Sequence, residues 1–372
     1  MKKSTKRWGL TALIVVLIGG FFLLDLQPSI VSYPIAVQPS AEALRIHQDA
    51  IVIDLHVDSL IWPRDLTLEG TTGHLDFPRM RRGGLDAAAF TIPTRFFGLA
   101  GLKAFHDLRP PATWFSSWER YRTQVSSMKS FLEISGQQAA IATDPETIRN
   151  HHKKGVLSVF HGIEGAHALG EDLTRVRQVA MDGVVFVGIV HLWKNEYGGS
   201  SFGFDGGLTH LGRRLIDQMN EVGLMVDLAH AGPKTFEAAL AQTRLPPIVS
   251  HAGARAVHDT WRNLSDDQIQ AVAQRGGVIG VMLVPPALDR PDLFEALEHL
   301  AHIVEVGGED VAALGSDFDG YMKSPIDASG LAQLTELMLR AGWSASRIRK
   351  ILGENVLRVM GEAKQAGSTP TY

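Results

Sequence analysis

Eight short apolar runs, each followed by a stretch with helical spacing, dominate this chain, and polar groups sit at the ends of six of them. The runs are 51–57 (IVIDLHV), Leu85–Ile92, Val156–Phe160, Val184–Val190, Leu224–Leu228, Pro247–Val249, 277–284 (GVIGVMLV) and the opening of 311–320 (VAALGSDFDG). Short runs rich in Val, Ile and Leu, bounded by Gly or Pro, suit strands buried on both faces. Strands separated by helices pair in parallel, because the chain must cross back before each new strand. Eight such units predict an α/β fold, a TIM-type (β/α)8 barrel with its site at the C-terminal ends of the strands. At 372 residues and 45% apolar composition the chain is long enough for one such barrel with insertions.

The centre of this pattern is Gly223–Asn263, where two successive runs end on His230 and His251. Parallel neighbours bring both imidazoles to one edge of the sheet, which favours a shared ligand site over two unrelated strand-end histidines. The first run ends on His56 and Asp58, whose spacing of two puts both side chains on one side of an extended strand. Glu164 follows the third run between Gly162 and Gly165, placed either to bridge two cations or to act as a helix N-terminal acid. His191 ends the fourth run, and Asp317 ends the eighth. Arg255 and Arg262, after His251, are equally placed to receive an anionic group. His161 and His167 read as supporting or structural residues, and His299 and His302 as core or surface residues.

The chain has no cysteine, which excludes disulfides, thiolate metal sites and a Cys nucleophile. Six groups with N and O donors (His56, Asp58, Glu164, His230, His251 and Asp317) exceed what one zinc ion needs and suit two Zn2+ sharing a carboxylate. Such a pair activates water. Asp317 is placed to move its proton or to ligate a metal, and His191 to polarise a carbonyl. The sum is metal-assisted hydrolysis of an amide or ester with an anionic end. Neither GxSxG nor GxxxxGK[ST] occurs, and a net charge of −4 leaves no basic footprint for nucleic acid.

At the N-terminus, Lys2, Lys3, Lys6 and Arg7 precede an apolar run from Trp8 to Leu24. Residues 1–25 read as an uncleaved signal-anchor, with a cleaved signal peptide as the alternative. Either one exports the remainder, to the periplasmic side of a bacterial inner membrane or beyond. Residues 26–40 read as a linker, 41–364 as the catalytic barrel and 365–372 as a flexible tail. The aromatic and Pro-rich segment from Phe96 to Trp118 reads as a lid, a subunit contact or a membrane-facing patch, with simple packing as the alternative.

Segments spanning about residues 50–360 resemble the membrane dipeptidase (renal dipeptidase) family of zinc peptidases, within the amidohydrolase-type barrels. They are IDLHVD (53–58), HLDFPRMRRGG (74–84), GIEGAH (162–167), GLMVDLAH (223–230), PIVSHAGARAV (247–257), RNLSDDQI (262–269), GSDFDG (315–320) and GENVLRVM (353–360). The resemblance implies that His56 and Asp58 hold one zinc, that Glu164 bridges, and that His230 with His251 hold the second. It implies Asp317 as proton-transferring acid/base, His191 at the scissile carbonyl, and Arg262 rather than Arg255 on the terminal carboxylate. It further implies dipeptide substrates, often with a D-residue at the C-terminal side, and a homodimer. The chain departs from the family pattern at SLIWPR (59–64), EGA (164–166), HLWKNEYGG (191–199) and VPPAL (284–288), which points to an altered pocket. Two alternatives stay open. One is another binuclear-metal amidohydrolase, acting on a lactone or an N-acyl amino acid. The other is a catalytically altered metal-binding relative with a specialised substrate.

Overall fold

The structure is a computed structural model that describes residues 37–95, 105–290 and 292–367. Nine strands, all parallel, run in chain order as β1 (Ile53–Val57), β2 (Ala87–Pro93), β3 (Ala139–Ile141), β4 (Leu157–Glu164), β5 (Val184–Gly188), β6 (Met225–Asp227), β7 (Ile248–Ala252), β8 (Val278–Val281) and β9 (Ala312–Leu314). Strand β1 pairs with both β2 and β9, and β2 pairs with β4, so eight strands close into a ring while β3 hangs on the outer edge of β4. This is the expected (β/α)8 barrel with one added strand, too short at Ala-Ala-Ile to announce itself by periodicity.

Helices pack outside the ring, and their ends follow local chemistry. Asp144 caps Pro145–Lys154 by accepting from the Thr147 amide, with Gly155 in the left-handed conformation closing the other end. Ser265 and Gln268 form a capping box at the start of Asp266–Gln274. Residues 166–180 do not form one continuous helix. Gly170, at φ 59°, breaks it into a 3-10 turn (Ala166–Leu169) and a helix from Arg175 to Met181. The final helix runs through Gly367.

The strands of the ring, three to eight residues long, carry buried side chains on both faces. Inside the ring the packing is close enough to require glycine. A Cβ on Gly315 would lie 1.9 Å from the carbonyl oxygen of Ser250, and one on Gly280 would lie 2.2 Å from the same atom.

No helix among the described residues is long and apolar enough to cross a membrane. The apolar run from Trp8 to Leu24 lies outside the described residues, as does 96–104 of the aromatic segment. The rest of that segment forms a short helix (Pro111–Phe115), with Arg109 donating to the carbonyl of Ile61 and Phe105 edge-on to Trp114.

Two histidines, His161 read as supporting or structural and His299 read as core or surface, are both buried and oppose stability at acid pH. His161 donates from Nδ1 to the carbonyl of Phe90, and burial depresses it to about 4. The Nδ1 of His299 accepts from the Ala254 amide and must stay unprotonated, and burial likewise depresses it to about 4. An unfolded imidazole titrates near 6.5, so between these values the unfolded chain binds more protons. These two histidines therefore cost the fold stability as pH drops from about 6.5 toward 4, His161 contributing on the order of 3 kcal/mol. Urea midpoints at pH 7 and pH 4.5 test this, and His161→Gln is expected to flatten the difference.

Candidate metal centre and active site

The ends of β1, β4, β6, β7 and β9 deliver one cluster. Asp58 lies just past β1 at φ −97°, ψ 24°, so it leaves the extended geometry that its spacing suggested. It is aimed instead by the Thr91 hydroxyl, which donates to its Oδ1 at 2.6 Å. Glu164 is the last residue of β4, since the ladder with β2 continues in register to Pro93↔Glu164; the strand extends four residues past the end of its apolar run at Phe160. His230 (φ 62°) and Asp317 (φ 60°) both take the left-handed conformation, uncommon for non-glycine residues, at the points where the chain turns off β6 and β9.

The donors converge. Glu164 Oε1 lies 2.9 Å from His230 Nε2 and 3.5 Å from His251 Nε2, and the two imidazole nitrogens are 3.1 Å apart. On the other side, His56 Nε2 lies 3.5 Å from Asp58 Oδ1 and 3.7 Å from the same Glu164 oxygen. His191 Nε2 faces Glu164 Oε2 at 3.4 Å, and Asp317 Oδ1 lies 3.8 Å from His56 Nε2. Ligands about 2.0–2.1 Å from a tetrahedral ion sit about 3.3 Å from one another, which is the spacing found here. Buried polar atoms here also lack hydrogen-bond partners, among them His56 Nε2 and Glu164 Oε2. The residues therefore fit a metal centre, with Glu164 in two of the three overlapping donor groups among the described residues.

Electrostatics say the same. Burial pushes Glu164 well above the carboxylate range, with the nearby Asp58 charge adding to it. Burial raises Asp317 to about 7, with Asp58 again contributing. Burial would lower His56, but Asp58, Glu164 and Asp317 outweigh it and raise the imidazole to about 9. His230 and His251 are depressed well below the usual range by burial, then by the Arg262 and His56 charges respectively. Carboxylates and imidazoles packed this tightly are in conflict without a cation.

A further layer holds the imidazoles. The Ser250 hydroxyl donates to Asp227 Oδ2 at 2.6 Å. Its oxygen then faces His251 Nδ1 at 2.9 Å and His56 Nδ1 at 3.2 Å. A hydroxyl whose one proton is committed to a carboxylate can only accept from both rings. This makes both imidazoles Nδ1–H tautomers and turns both Nε2 lone pairs toward Glu164. Asp227 Oδ1 in turn accepts from the amides of Ala229 and Ser250. Sequence reasoning passed over Asp227 and Ser250; the available signal was a polar residue inside each of two otherwise apolar strands.

The cluster floors a cavity of about 250 Å³ also lined by His191, Arg262 and Trp261. Arg262 is buried at 3% exposure and donates to the carbonyl of His251. Arg255 is absent from the cavity lining and pairs at the surface with Asp259. His167 is buried beside Gly165, close to His191 but outside the lining.

Comparison with known proteins agrees with this geometry. The family model for membrane dipeptidase (peptidase family M19) matches residues 40–371. An uncharacterized dipeptidase of Schizosaccharomyces pombe is 26% identical over 312 residues, 78% of this chain and 72% of the relative. A metallopeptidase from Rhodobacter sphaeroides, solved with a phosphinate mimic of the dipeptide L-Ala-D-Ala, superimposes with a TM-score of 0.75 at 25% identity, covering 85% of this chain and 100% of that one. An amidohydrolase from Pseudomonas aeruginosa gives a TM-score of 0.73 at 25% identity, covering 87% and 99%. With a match that spans the whole barrel and a site whose donors fit a metal centre, the chain belongs to the membrane dipeptidase family and is a metallopeptidase-type hydrolase of peptide bonds.

Proposed function

We propose that this protein is a binuclear zinc dipeptidase that cleaves dipeptides with a free C-terminal carboxylate, including those with a D-residue at that end. The observation that carries this reading is Glu164, one of whose oxygens lies within 3.7 Å of the Nε2 atoms of His56, His230 and His251. In this reading His56 and Asp58 would hold one ion, His230 and His251 the other, and Glu164 would serve both. Bound there, the ions supply a water acidic enough to lose its proton near neutral pH. Asp317 would hold a proton on its carboxylate and pass it to the leaving amine, a task suited to a carboxyl pushed up to about 7. His191 donates toward the oxygen of the scissile carbonyl as charge develops there. Arg262, charged and buried in the same cavity, takes the substrate carboxylate and sets the register of the peptide bond. The basic and apolar N-terminus supports an enzyme tethered at the membrane and working on the periplasmic side.

The test is hydrolysis of L-L and L-D dipeptides by the purified chain, with zinc and after chelation, beside the C-terminal amides of the same dipeptides. Cleavage that needs zinc and falls at least tenfold for the amides is expected. Cleavage of lactones or N-acyl amino acids in preference to every dipeptide would instead favour a different amidohydrolase.

The Ser250 hydroxyl carries its own expectation. Ser250→Ala removes the shared acceptor of two ring N–H groups, and zinc affinity is expected to drop about 10–100-fold. Competition with a chromophoric chelator measures it. Unchanged affinity in a folded variant would remove Ser250 from this role.

A further inference from the structure

We infer that this active site selects dipeptides carrying a large apolar side chain, seated against the loops that follow β8 and β9; the inference rests on the dipeptidase reading above. Apart from Arg262, which lies on the loop after β7, the charged lining residues described above sit at or just past strand ends. The loops contribute something chemically different: Met282, Pro285, Pro286 and Met322, joined by Leu192 and Trp261.

The Met, Pro and Leu side chains of this surface offer a substrate no hydrogen bond, the polar groups on its loops being the Tyr321 hydroxyl and the Trp261 indole N–H. Proline has no N–H, which removes two donors in succession. The amide of Met282 is spent on the carbonyl of Ala252, that of Leu283 on Ser316, and that of Ala287 on Val284. A charged side chain placed against the Met and Pro side chains would shed its hydration and gain no opposite charge from them. An apolar side chain would gain by the area it removes from water.

The surface is firm behind and adaptable in front. Met282, Val284 and Ala287 form a buried apolar cluster, and the half-buried Met322 packs on it. Unbranched thioethers adjust to several shapes, so the fit extends to Leu, Met and Phe alike. The surface also continues outward. The Trp261 ring lies 5.1 Å from Phe202, which lies 6.2 Å from Trp193, and Phe202 is 42% exposed. Apolar contact therefore reaches from the cavity to solvent, which leaves room for aromatic side chains.

The experiment uses the zinc-loaded full chain and two dipeptide series, Xaa-Ala and Ala-Xaa, each with L- and D-residues at the C-terminal position. Xaa is Ala, Leu, Met, Phe, Glu or Lys. In at least one series kcat/KM for Leu, Met and Phe is expected to exceed Ala by about 10–100-fold, with Glu and Lys below Ala. Met322→Lys, at a half-buried position, is expected to abolish that preference and to favour Glu. Met322→Ala, which adds no charge, is expected to reduce it. Calorimetry with phosphinate dipeptide mimics bearing Leu or Ala side chains should show the same order in binding. Cleavage of Ala-Ala, or of the Glu and Lys substrates, as fast as the apolar ones would overturn the inference and leave the dipeptidase reading standing. An unchanged preference in both Met322 variants would also overturn it. No cleavage of any member would sink the dipeptidase reading and this inference with it.

Discussion

Glu164→Gln is expected to abolish dipeptide hydrolysis, by about 10³-fold or more, while leaving the fold intact or firmer. The substitution keeps the side chain's shape and removes its charge. One Glu164 oxygen faces His230, His251 and His56, and the other faces His191. An amide offers only one acceptor atom there and turns an N–H₂ group toward the imidazoles, so both halves of the site lose their shared anion. Metal analysis should show less than the two ions per chain expected of the parent. The stability expectation has the opposite sign. Without metal, Glu164 is a fully enclosed carboxyl that burial holds far above its ordinary range, a cost that a neutral amide does not carry. After chelation the variant should therefore unfold at the same temperature as the parent or higher. An active variant with two ions would mean that Glu164 does not bridge.

Asp317→Asn separates proton transfer from metal binding. The residue sits at φ 60°, a conformation that Asn tolerates well, so the turn after β9 should survive the change. Its amide donates to the His56 carbonyl, a backbone contact the substitution keeps. Its carboxyl lies 3.8 Å from His56 Nε2 and could serve either as a proton carrier or as a metal ligand. If it carries the proton, kcat falls about 10²–10⁴-fold while metal content stays at the parent level. If it ligates, metal is lost along with activity. Measuring kcat and zinc stoichiometry on one preparation distinguishes the two.

The barrel was legible because parallel strands buried on both faces leave unbroken apolar runs, and the site because its members close those runs. What the runs hid is instructive. The apolar run ends at Phe160, yet His161 to Glu164 are strand too, since β4 is paired on both sides and its polar end gains ladder partners from β2. Asp227 and Ser250 were invisible because a polar residue in a buried strand matters only through what it touches, and here it touches another strand. Arg255 and Arg262 could not be ranked from seven residues of separation. The chain folds back so that Leu264 bridges Ala254, returning Arg262 to the mouth of β7 and leaving Arg255 outside. Likewise the left-handed turns at His230 and Asp317 arise from the loops that reverse the chain, and neither residue type announces them.

The hydrogen-bonded seam between β1 and β9 also governs when the metal site comes into being. Asp54 accepts from the amides of both His56 and Ser316, so the first donor pair is held in place by residues some 260 positions later. The seam cannot form until β9 has been synthesised, and the site is scattered across the intervening ring. Synthesis at about 5–20 residues per second therefore yields a long-lived nascent chain with no assembled site. Metal loading becomes a late event that reports ring closure, and every bound ion then stabilises the closed form alone, by mass action. Free metal in the compartment of folding should set how fast newly made chains become resistant to unfolding.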